Sequence, residues 1–172
     1  MSDTYKAPVP RTGPRLLDHM AATQPAHEAV IDGALRWSYA DLQQQAKTAA
    51  AGLAALGVKR GDRVAILAGN RAEWVSVFFG IQGLGAITVA LNTWLTAVEI
   101  AWQLEHAGTS LLVVEPDFRG RDFVGEVQTL QAEGRLQSLR EVVVLGETAP
   151  ACMRPYADLM AHKPSPACWD LA

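Results

Sequence analysis

Apolar and polar residues alternate along the chain in blocks that predict alternating helices and strands. Short apolar runs at residues 63–67, 86–91, 111–114 and 142–145 have the length of buried strands. Longer segments between them carry apolar residues every three or four positions, which is the spacing of one helix face. Strands that are apolar on both faces are typical of a parallel sheet covered by helices on both sides. The sequence therefore predicts an α/β fold.

A short helix and a β-hairpin are predicted ahead of this alternating region. The helix covers residues 14–22, where Leu16, Leu17 and Met20 form an apolar stripe. The hairpin lies in AVIDGALRWSY, because Asp32-Gly33 between two apolar runs is a strong turn signal. The predicted fold is therefore a mostly parallel sheet with helices on both faces, preceded by a short helix and a β-hairpin.

Capping pairs predict where three of the helices begin. In such a pair, side-chain oxygens accept hydrogen bonds from backbone amides that are left free at the start of a helix. A further helix, without a capping pair, is predicted over residues 118–133. The three pairs are Ser38 with Asp41, Asn70 with Glu73, and Thr96 with Glu99.

Proline content and apolar patterning divide the chain into three parts. Residues 1–13 are polar and proline-rich, which predicts a flexible lead-in. Residues 14–145 contain the predicted strands and long helices and are expected to form one α/β subdomain. Residues 146–172 hold four of the nine prolines, with one short predicted helix in YADLMAH. This last part is predicted to be a proline-rich connector.

Composition and charge narrow the class of protein. Hydrophobic residues make up 49% and charged residues 19%, as in a soluble globular domain. A formal net charge of −3 gives no reason to expect nucleic acid as a partner. No apolar run reaches the roughly 18 residues of a membrane helix, and the N-terminus has no signal-peptide pattern. We expect a cytoplasmic protein without a membrane span.

One glycine-rich stretch needs to be distinguished from a phosphate-binding loop. Gly83-Leu84-Gly85-Ala86-Ile87-Thr88 is one residue short of the G-x-G-x-x-G pattern. A dinucleotide site needs strand, glycine turn and helix in that order, so that the phosphate meets the positive helix N-terminus. Here the helix comes first and the strand follows. We therefore interpret Gly83 and Gly85 as a helix end with close packing, and a dinucleotide-binding protein is disfavoured.

No other residue forms a self-sufficient active site in the sequence. Asn92 and Thr96 follow a strand end, where α/β sheets tend to bind ligands, but a turn-and-cap role is favoured for both. Ser76 and Ser110 lack the G-x-S-x-G setting of a hydrolase nucleophile. No catalytic, cofactor-binding or metal-binding residue is predicted. The histidines are scattered and the cysteines lack metal-ligand spacing, at His19, His27, His106, His162, Cys152 and Cys168.

Four segments, in order, resemble the N-terminal part of the adenylate-forming superfamily. That superfamily includes acyl-CoA synthetases, luciferases and the adenylation domains of peptide synthetases. The spacing is most similar to that of the medium- and long-chain fatty acyl-CoA ligases, and the resemblance covers about residues 14–145. The four segments are WSYADL, GVKRGDRVAIL, NRAEWVSVFFGIQGLGAITVALN and LTAVEIAWQLEHAGTSLLVV.

The resemblance implies a two-step reaction for a complete parent enzyme. A carboxylate attacks the α-phosphate of ATP to give an acyl-adenylate and pyrophosphate, and the thiol of CoA then displaces AMP. ATP, Mg and CoA are thus implied for the parent, and no cofactor is expected for this chain itself. The family's Thr-Ser-Gly-Thr-Thr-Gly-x-Pro-Lys-Gly loop, Tyr-Gly-x-Thr-Glu segment, ribose-binding Asp and C-terminal-domain Lys have no counterpart here.

The leading hypothesis from the sequence is an N-terminal fragment of an acyl-CoA ligase that is inactive by itself. Its last residues, PSPACWDLA, resemble the Asp-Asp-Leu-Ala that precedes the phosphate loop in the family. The expected partner is then the missing remainder of the ligase, and self-association through exposed apolar surface is also expected. The alternative is a stand-alone binding or scaffolding module that reuses the ligase subdomain.

Overall fold

The computed structural model describes residues 12–169, so most of the predicted lead-in at residues 1–13 lies outside the described residues. The predicted helices and strands are confirmed to within a residue or two, except for the region after residue 116. The helices are α1 Gly13–Thr23, α2 Tyr39–Ala55, α3 Ala72–Gly83, α4 Ala97–Ala107, α5 Phe123–Ala132 and α6 Tyr156–Met160, with a short 3-10 helix at Pro166–Cys168. The strands are β1 Glu28–Asp32, β2 Leu35–Ser38, β3 Arg63–Leu67, β4 Ile87–Ala90, β5 Leu111–Val114, β6 Asp117–Phe118, β7 Arg121–Asp122, β8 Glu141–Val144 and β9 Arg154–Pro155.

A parallel sheet forms the centre of the fold, as the sequence predicts. Within residues 12–169 it has five strands in the order β4-β3-β5-β8-β9, and every neighbouring pair is parallel. β1 and β2 form the separate antiparallel hairpin predicted from the turn signal, with Gly33 in the turn at a φ of +56°. The α/β fold class is therefore confirmed.

Helices cover both faces of this sheet because its strands alternate their apolar side chains between two cores. Val64, Ile66 and Val113 point into one core, which is closed by α1, α2, α3 and α6. Ala65, Leu67 and other residues of alternate register point into the second core, which is closed by α4 and α5. Strands buried on both faces explain why their sequences are continuously apolar.

Two of the three predicted capping pairs are confirmed. In α2, the Ser38 hydroxyl accepts a hydrogen bond from the Asp41 amide while the Asp41 carboxylate accepts one from the Ser38 amide. Thr96 and Glu99 form the same reciprocal pair at the start of α4. Each arrangement satisfies amides that the first turn of a helix leaves free.

The predicted capping pair of Asn70 with Glu73 is wrong. Helix α3 begins after Arg71, whose side chain does not cap the helix, and Glu73 is instead held by the Arg71 guanidinium. The Ala72 amide donates to the carboxylate of Asp32, which lies at the end of strand β1. A residue distant in sequence therefore caps α3, which local spacing could not reveal.

The helix predicted over residues 118–133 begins later than expected. Its first residues form a small antiparallel hairpin of β6 and β7, and α5 starts only at Phe123. The hairpin turn contains Arg119 and Gly120, both with positive φ. The Asp122 carboxylate then accepts a hydrogen bond from the Gly125 amide and caps α5.

Residues 146–169, assigned from the sequence to a connector, pack against the body of the fold. β9 pairs with β8 at the edge of the sheet, and α6 lies against α2. Trp169 is buried, and its indole nitrogen donates to the Asp18 carboxylate at 2.8 Å. A Cβ at Gly83 would lie 2.5 Å from the Trp169 ring. The ring therefore packs against α3 at this point only because residue 83 has no side chain.

Candidate functional site

The carboxyl ends of the parallel strands define the edge of the sheet where a ligand site is expected. β3 ends at Leu67, between the ends of β4 and β5, because β3 pairs with both. The turns that follow these strands therefore converge at one edge. Among the polar side chains that they carry are those of Asn70, Arg71, Asn92 and Glu115.

Arg71 connects three strand ends at this edge. Its Nε and Nη2 donate to the two oxygens of Glu73, each at 2.9 Å, in a bidentate pair. Its Nη1 reaches the Glu115 carboxylate at 3.3 Å and the carbonyl oxygen of Leu145 at 3.4 Å. Glu115 in turn accepts from the Gly69 amide at 2.8 Å. The hydrogen bond to Glu73 raises the pKa of Arg71, which therefore remains a cation.

A cavity of about 560 Å³ lies beside this network, between the turn after β3, the turn after β4 and the β6–β7 hairpin. Trp74, Trp94 and Phe118 supply aromatic walls, and Asn70 supplies an amide. The Arg119 guanidinium lies 5.6 Å from the Trp94 ring centroid and 5.3 Å from that of Phe118. None of the described side chains lining the cavity is a carboxylate, histidine, cysteine or lysine. The described side chains lining the cavity therefore offer no general base.

Asn92 and Thr96 hold the turn after β4, in agreement with the role favoured from the sequence. The Asn92 side-chain oxygen accepts from the Trp94 amide at 2.9 Å, which closes a local turn. The Thr96 hydroxyl is engaged in the capping pair of α4. The Asn92 side chain thus positions Trp94 at the cavity.

Gly83 and Gly85 lie at the C-terminal end of α3, as the sequence predicts. The helix ends at Gly83, and Gly85 follows with a φ of +66°, a conformation that favours glycine. Strand β4 begins two residues later, so the order is helix, turn and strand. The negative end of the helix dipole faces this turn, which disfavours a bound phosphate.

Ser76 is fully buried and bonded to other residues. Its hydroxyl donates to the Glu73 carbonyl at 3.1 Å and lies 3.2 Å from the Tyr156 hydroxyl. Burial raises the pKa of Tyr156 to about 12, so this hydroxyl remains protonated at physiological pH. The pair joins α3 to α6 and has a structural role.

The histidines and cysteines do not come together in the fold. Among residues 12–169, no group of three or more histidine, cysteine, aspartate or glutamate side chains is arranged to hold a metal ion. Cys152 and Cys168 are free thiols. His106 stacks on Trp102 at the surface, and His27 stacks on Tyr39. In the part of the chain described, no helix has both the length and the apolar character needed to cross a membrane.

The residues that organise this edge are not indicated by the sequence pattern, namely Arg71, Glu115 and Arg119. The partners of Arg71 lie 44 and 74 residues away, at Glu115 and Leu145. Parallel strand ends bring such distant residues together, so only the strand order could have indicated them. Arg119 reaches the cavity because it forms the turn of a hairpin that the sequence pattern had assigned to a helix.

The Arg71–Glu73 pair predicts a pH dependence of stability. The Arg71 hydrogen bonds lower the pKa of Glu73 below its ordinary value of 4.5 in the folded protein. As the pH falls, the unfolded chain therefore takes up this proton first, which favours unfolding. The stabilising contribution is present above about pH 4.5 and is lost as the pH falls through the lower pKa of the folded state. Urea unfolding at several pH values tests this prediction. On acidification, the free energy of unfolding of Glu73→Gln should fall less than that of the wild type.

A double-mutant comparison controls this prediction. Arg71→Met removes the cause of the lowered pKa, so adding Glu73→Gln to it should leave the acid dependence of the unfolding free energy nearly unchanged. If Glu73→Gln flattens the acid dependence equally in both backgrounds, the effect does not come from Arg71.

A model of the family described as AMP-binding enzyme matches residues 17–168 of this chain. The chain is 36% identical over 143 residues to the 2-succinylbenzoate–CoA ligase of Geobacillus kaustophilus, covering 80% of this chain and 29% of that protein. It is 32% identical over 131 residues to the long-chain-fatty-acid–CoA ligase of Thermus thermophilus, covering 76% of this chain and 23% of that protein. The chain thus spans less than a third of the length of these two relatives.

The fold is also similar to solved structures. The fatty acyl CoA synthetase of Mycobacterium tuberculosis superposes with a TM-score of 0.74, over 88% of this chain and 28% of that protein. The sequence identity is 23%, so this likeness concerns the fold alone. The α/β architecture described above is thus shared with one part of a larger synthetase fold.

Proposed function

The chain belongs to the AMP-binding enzyme family, and on that basis we propose that it is the N-terminal scaffold of an ATP-dependent fatty acid–CoA ligase, inactive by itself. In the complete ligase a carboxylate would be adenylated by ATP and then transferred to the thiol of CoA. Residues 14–145 form the scaffold in this proposal, and residues 146–172 lead toward the ATP-binding part. Residues 146–169 pack along the scaffold on the way.

The observation that carries the proposal is the family match over residues 17–168, together with the similarity to acyl-CoA ligases. The named acids of these relatives differ, one being 2-succinylbenzoate and the other a long-chain fatty acid. The fatty acid is proposed for this chain because its motif spacing is most similar to that branch of the family.

The residues at the sheet edge do not suit Mg–ATP, which supports the proposed inactivity. Magnesium prefers oxygen ligands, usually carboxylates, and none of the described side chains lining the cavity is a carboxylate. Glu115 lies near the cavity but is bonded to Arg71 and to the Gly69 amide. A triphosphate would need a loop of backbone amides, and the sequence has no glycine-, serine- and threonine-rich loop after a strand. No chemical step is therefore assigned to this chain.

A pyrophosphate-exchange assay tests the proposal. The purified 172-residue chain, incubated with ATP, magnesium, labelled pyrophosphate and a series of fatty acids, should show no carboxylate-dependent label in ATP above a blank without protein. The reason is that the described side chains lining its cavity include no carboxylate to hold magnesium and no lysine to stabilise charge on the transferring phosphate. A complete acyl-CoA ligase in the same mixture serves as the positive control.

Two outcomes separate the proposal from its alternatives. Exchange that saturates with fatty acid concentration would contradict the inactivity and make this chain an enzyme in its own right. Saturable binding of a fatty acid without exchange would favour a stand-alone binding module over a scaffold.

A further inference from the structure

After α6 the chain crosses α1, α2 and α3 as a short segment, residues 161–169, which we call the strap. It contains no strand, and its one helical part is the 3-10 helix at Pro166–Cys168. Its residues are exposed or half-buried except Trp169, which is 8% exposed. Pro164 and Pro166 stiffen the strap because each proline fixes its own φ angle. The strap is therefore a stiff segment that is buried only at its end.

The Trp169 ring contacts three helices at once. Its indole nitrogen donates to the Asp18 carboxylate of α1 at 2.8 Å. The Lys47 ammonium of α2 lies 5.4 Å from the ring centroid. On α3 the ring lies against Gly83, where a Cβ would be only 2.5 Å away. We call Asp18, Lys47 and Gly83 the Trp169 seat.

Among the described residues, a single hydrogen bond joins the strap to α1, α2 and α3. It is the bond from the Trp169 indole to Asp18. The other hydrogen bonds of the strap are internal, as between Ser165 and Ala167, or reach back to α6, as those of His162 do. Release of one side chain would therefore remove the only hydrogen bond that holds these residues on the three helices.

A cavity of about 530 Å³ lies between the strap and the helices. Pro164, Ser165 and Pro166 line it from the strap. Asp18 and Lys47 line it from α1 and α2. Protein interiors are normally filled to a high density, and a segment that spans a cavity lacks the contacts that such packing provides. The strap is therefore held mainly by its terminal ring.

The charged groups of the seat keep their partners when the ring leaves. The Asp18 carboxylate also accepts from the Gln43 amide at 2.5 Å and pairs with the Lys47 ammonium at 3.1 Å. Both of these partners belong to α2 and stay with Asp18 when the strap moves away. A contact is hardest to open when it leaves a buried charge unpaired, and this one does not. Opening therefore costs the burial of one ring and one hydrogen bond.

We propose that the strap is a latch, which opens by release of Trp169 from its seat while α6 and the α/β scaffold stay folded. The exposed residues 161–163, between α6 and Pro164, are the hinge. Helix α6 stays in place because it is bound separately, through Leu159, which is buried against Gly52 of α2. A segment with few buried contacts opens at a lower free energy than the fold as a whole.

The latch gives the chain two arrangements at this point. In the closed arrangement Trp169 is fixed on α1, α2 and α3, and in the open one it is connected to the scaffold only through α6. In the ligase of the proposed function, residues 146–172 lead toward the ATP-binding part, so the latch would determine whether that part starts from a fixed or a moving point. This consequence rests on the proposed function, whereas the latch rests on contacts within this chain.

Hydrogen exchange of the Trp169 indole, followed by NMR in the 172-residue chain, tests the latch. The signal is identified by its absence in Trp169→Phe. Because the indole proton is bonded to Asp18, it exchanges when the strap opens, and its rate should change little with urea since little surface is exposed. The slowest amides of the central strand β5 should exchange by global unfolding, with a strong urea dependence and protection at least about 100-fold greater.

A substitution in the opposite core separates opening of the strap from global unfolding. Phe123→Leu destabilises the core closed by α4 and α5, whose buried residues include none from the strap. It should increase the exchange rate of the β5 amides and leave that of the Trp169 indole unchanged. Asp18→Asn replaces a charged acceptor by a neutral one and should increase the indole exchange rate about tenfold. The matched control is Glu28→Gln, which removes a paired carboxylate on the β1–β2 hairpin and should leave the indole rate unchanged.

Two results would overturn the latch. If the Trp169 indole and the β5 amides share one urea dependence and respond alike to Phe123→Leu, Trp169 leaves its seat only when the whole chain unfolds. If the indole exchanges at the rate of a free indole, the seat is empty in solution. Neither measurement depends on catalytic activity, so a failure of the latch is distinguishable from the pyrophosphate exchange that would contradict the proposed function.

Discussion

Replacing Phe123 by alanine is expected to lower the free energy of unfolding by about 3–5 kcal/mol. The Phe123 side chain is 0% exposed and begins α5 directly after the β6–β7 hairpin. Its ring stacks on Phe118 with centroids 6.4 Å apart, and the Arg121 guanidinium lies 4.8 Å from its centroid. Truncation would remove these contacts and leave a cavity that the rigid sheet cannot fill. Urea unfolding monitored by circular dichroism measures the loss.

The graded control for this prediction is Phe123→Leu. Leucine keeps most of the apolar volume, so its loss of stability should be clearly smaller than that of the alanine variant. Equal losses would mean that the aromatic stacking, rather than the filled volume, determines the stability at this position. A loss below about 1 kcal/mol for Phe123→Ala would show that the second core collapses around the gap.

The position of Phe123 also connects stability to the candidate site. Phe118 and Arg119, on the hairpin that packs over Phe123, both line the cavity at the sheet edge. Loss of the Phe123 ring should therefore loosen this hairpin first. Increased amide exchange confined to residues 117–122 at low urea would be the local sign of this effect.

The β6–β7 hairpin shows why part of the site could not be predicted from the sequence. Arg119 and Gly120 have φ angles of +55° and +79°, as in a hairpin turn whose two central residues are both left-handed. The usual signal for such a turn is Asn-Gly or Asp-Gly, and Arg-Gly is a weak one. The apolar residues that follow the hairpin have helical spacing. The sequence pattern therefore predicted a helix that begins too early and includes the hairpin residues. Arg119 was thereby missed as a residue of the cavity.

Features that depend on residues close together in the sequence were predicted, and features that depend on distant residues were not. Ser38 with Asp41 and Thr96 with Glu99 act within one helical turn, so spacing alone identified them. The strands were predicted because burial on both faces makes them continuously apolar. The strand order, by contrast, depends on packing between helices. The Arg71 network follows from that order, and no local pattern indicates it.

Replacing Gly52 by valine is the second substitution for which we expect a large effect, a loss of about 1–3 kcal/mol in the free energy of unfolding. Gly52 lies in α2 where α6 crosses it. A Cβ at this position would overlap the backbone carbonyl of Leu159, because it would clash with the carbonyl oxygen and lie 2.9 Å from the carbonyl carbon. It would also lie 2.7 Å from Cγ of the Leu159 side chain. Because backbone atoms cannot rotate away as a side chain can, α6 must move away from α2.

Displacement of α6 should release the whole segment that the sequence had assigned to a connector. Leu159 and Trp169 are buried on the same side of the sheet as α2. In Gly52→Val, chymotrypsin should therefore cleave after Tyr156, which is followed by Ala157, under conditions in which the wild type resists. The matched control is Ala55→Val, which introduces the same β-branched side chain at an exposed position of the same helix. It should cost less than about 1 kcal/mol and leave the segment protected.

If Gly52→Val and Ala55→Val behave alike, residues 146–169 are not held by α2. The segment would then behave as the mobile connector that its prolines predict. If only Gly52→Val releases it, the glycine is explained by packing, because glycine within a helix costs about 0.5–1 kcal/mol relative to alanine. The close approach of α6 would offset that cost, and residues 146–169 would count energetically as part of the α/β scaffold.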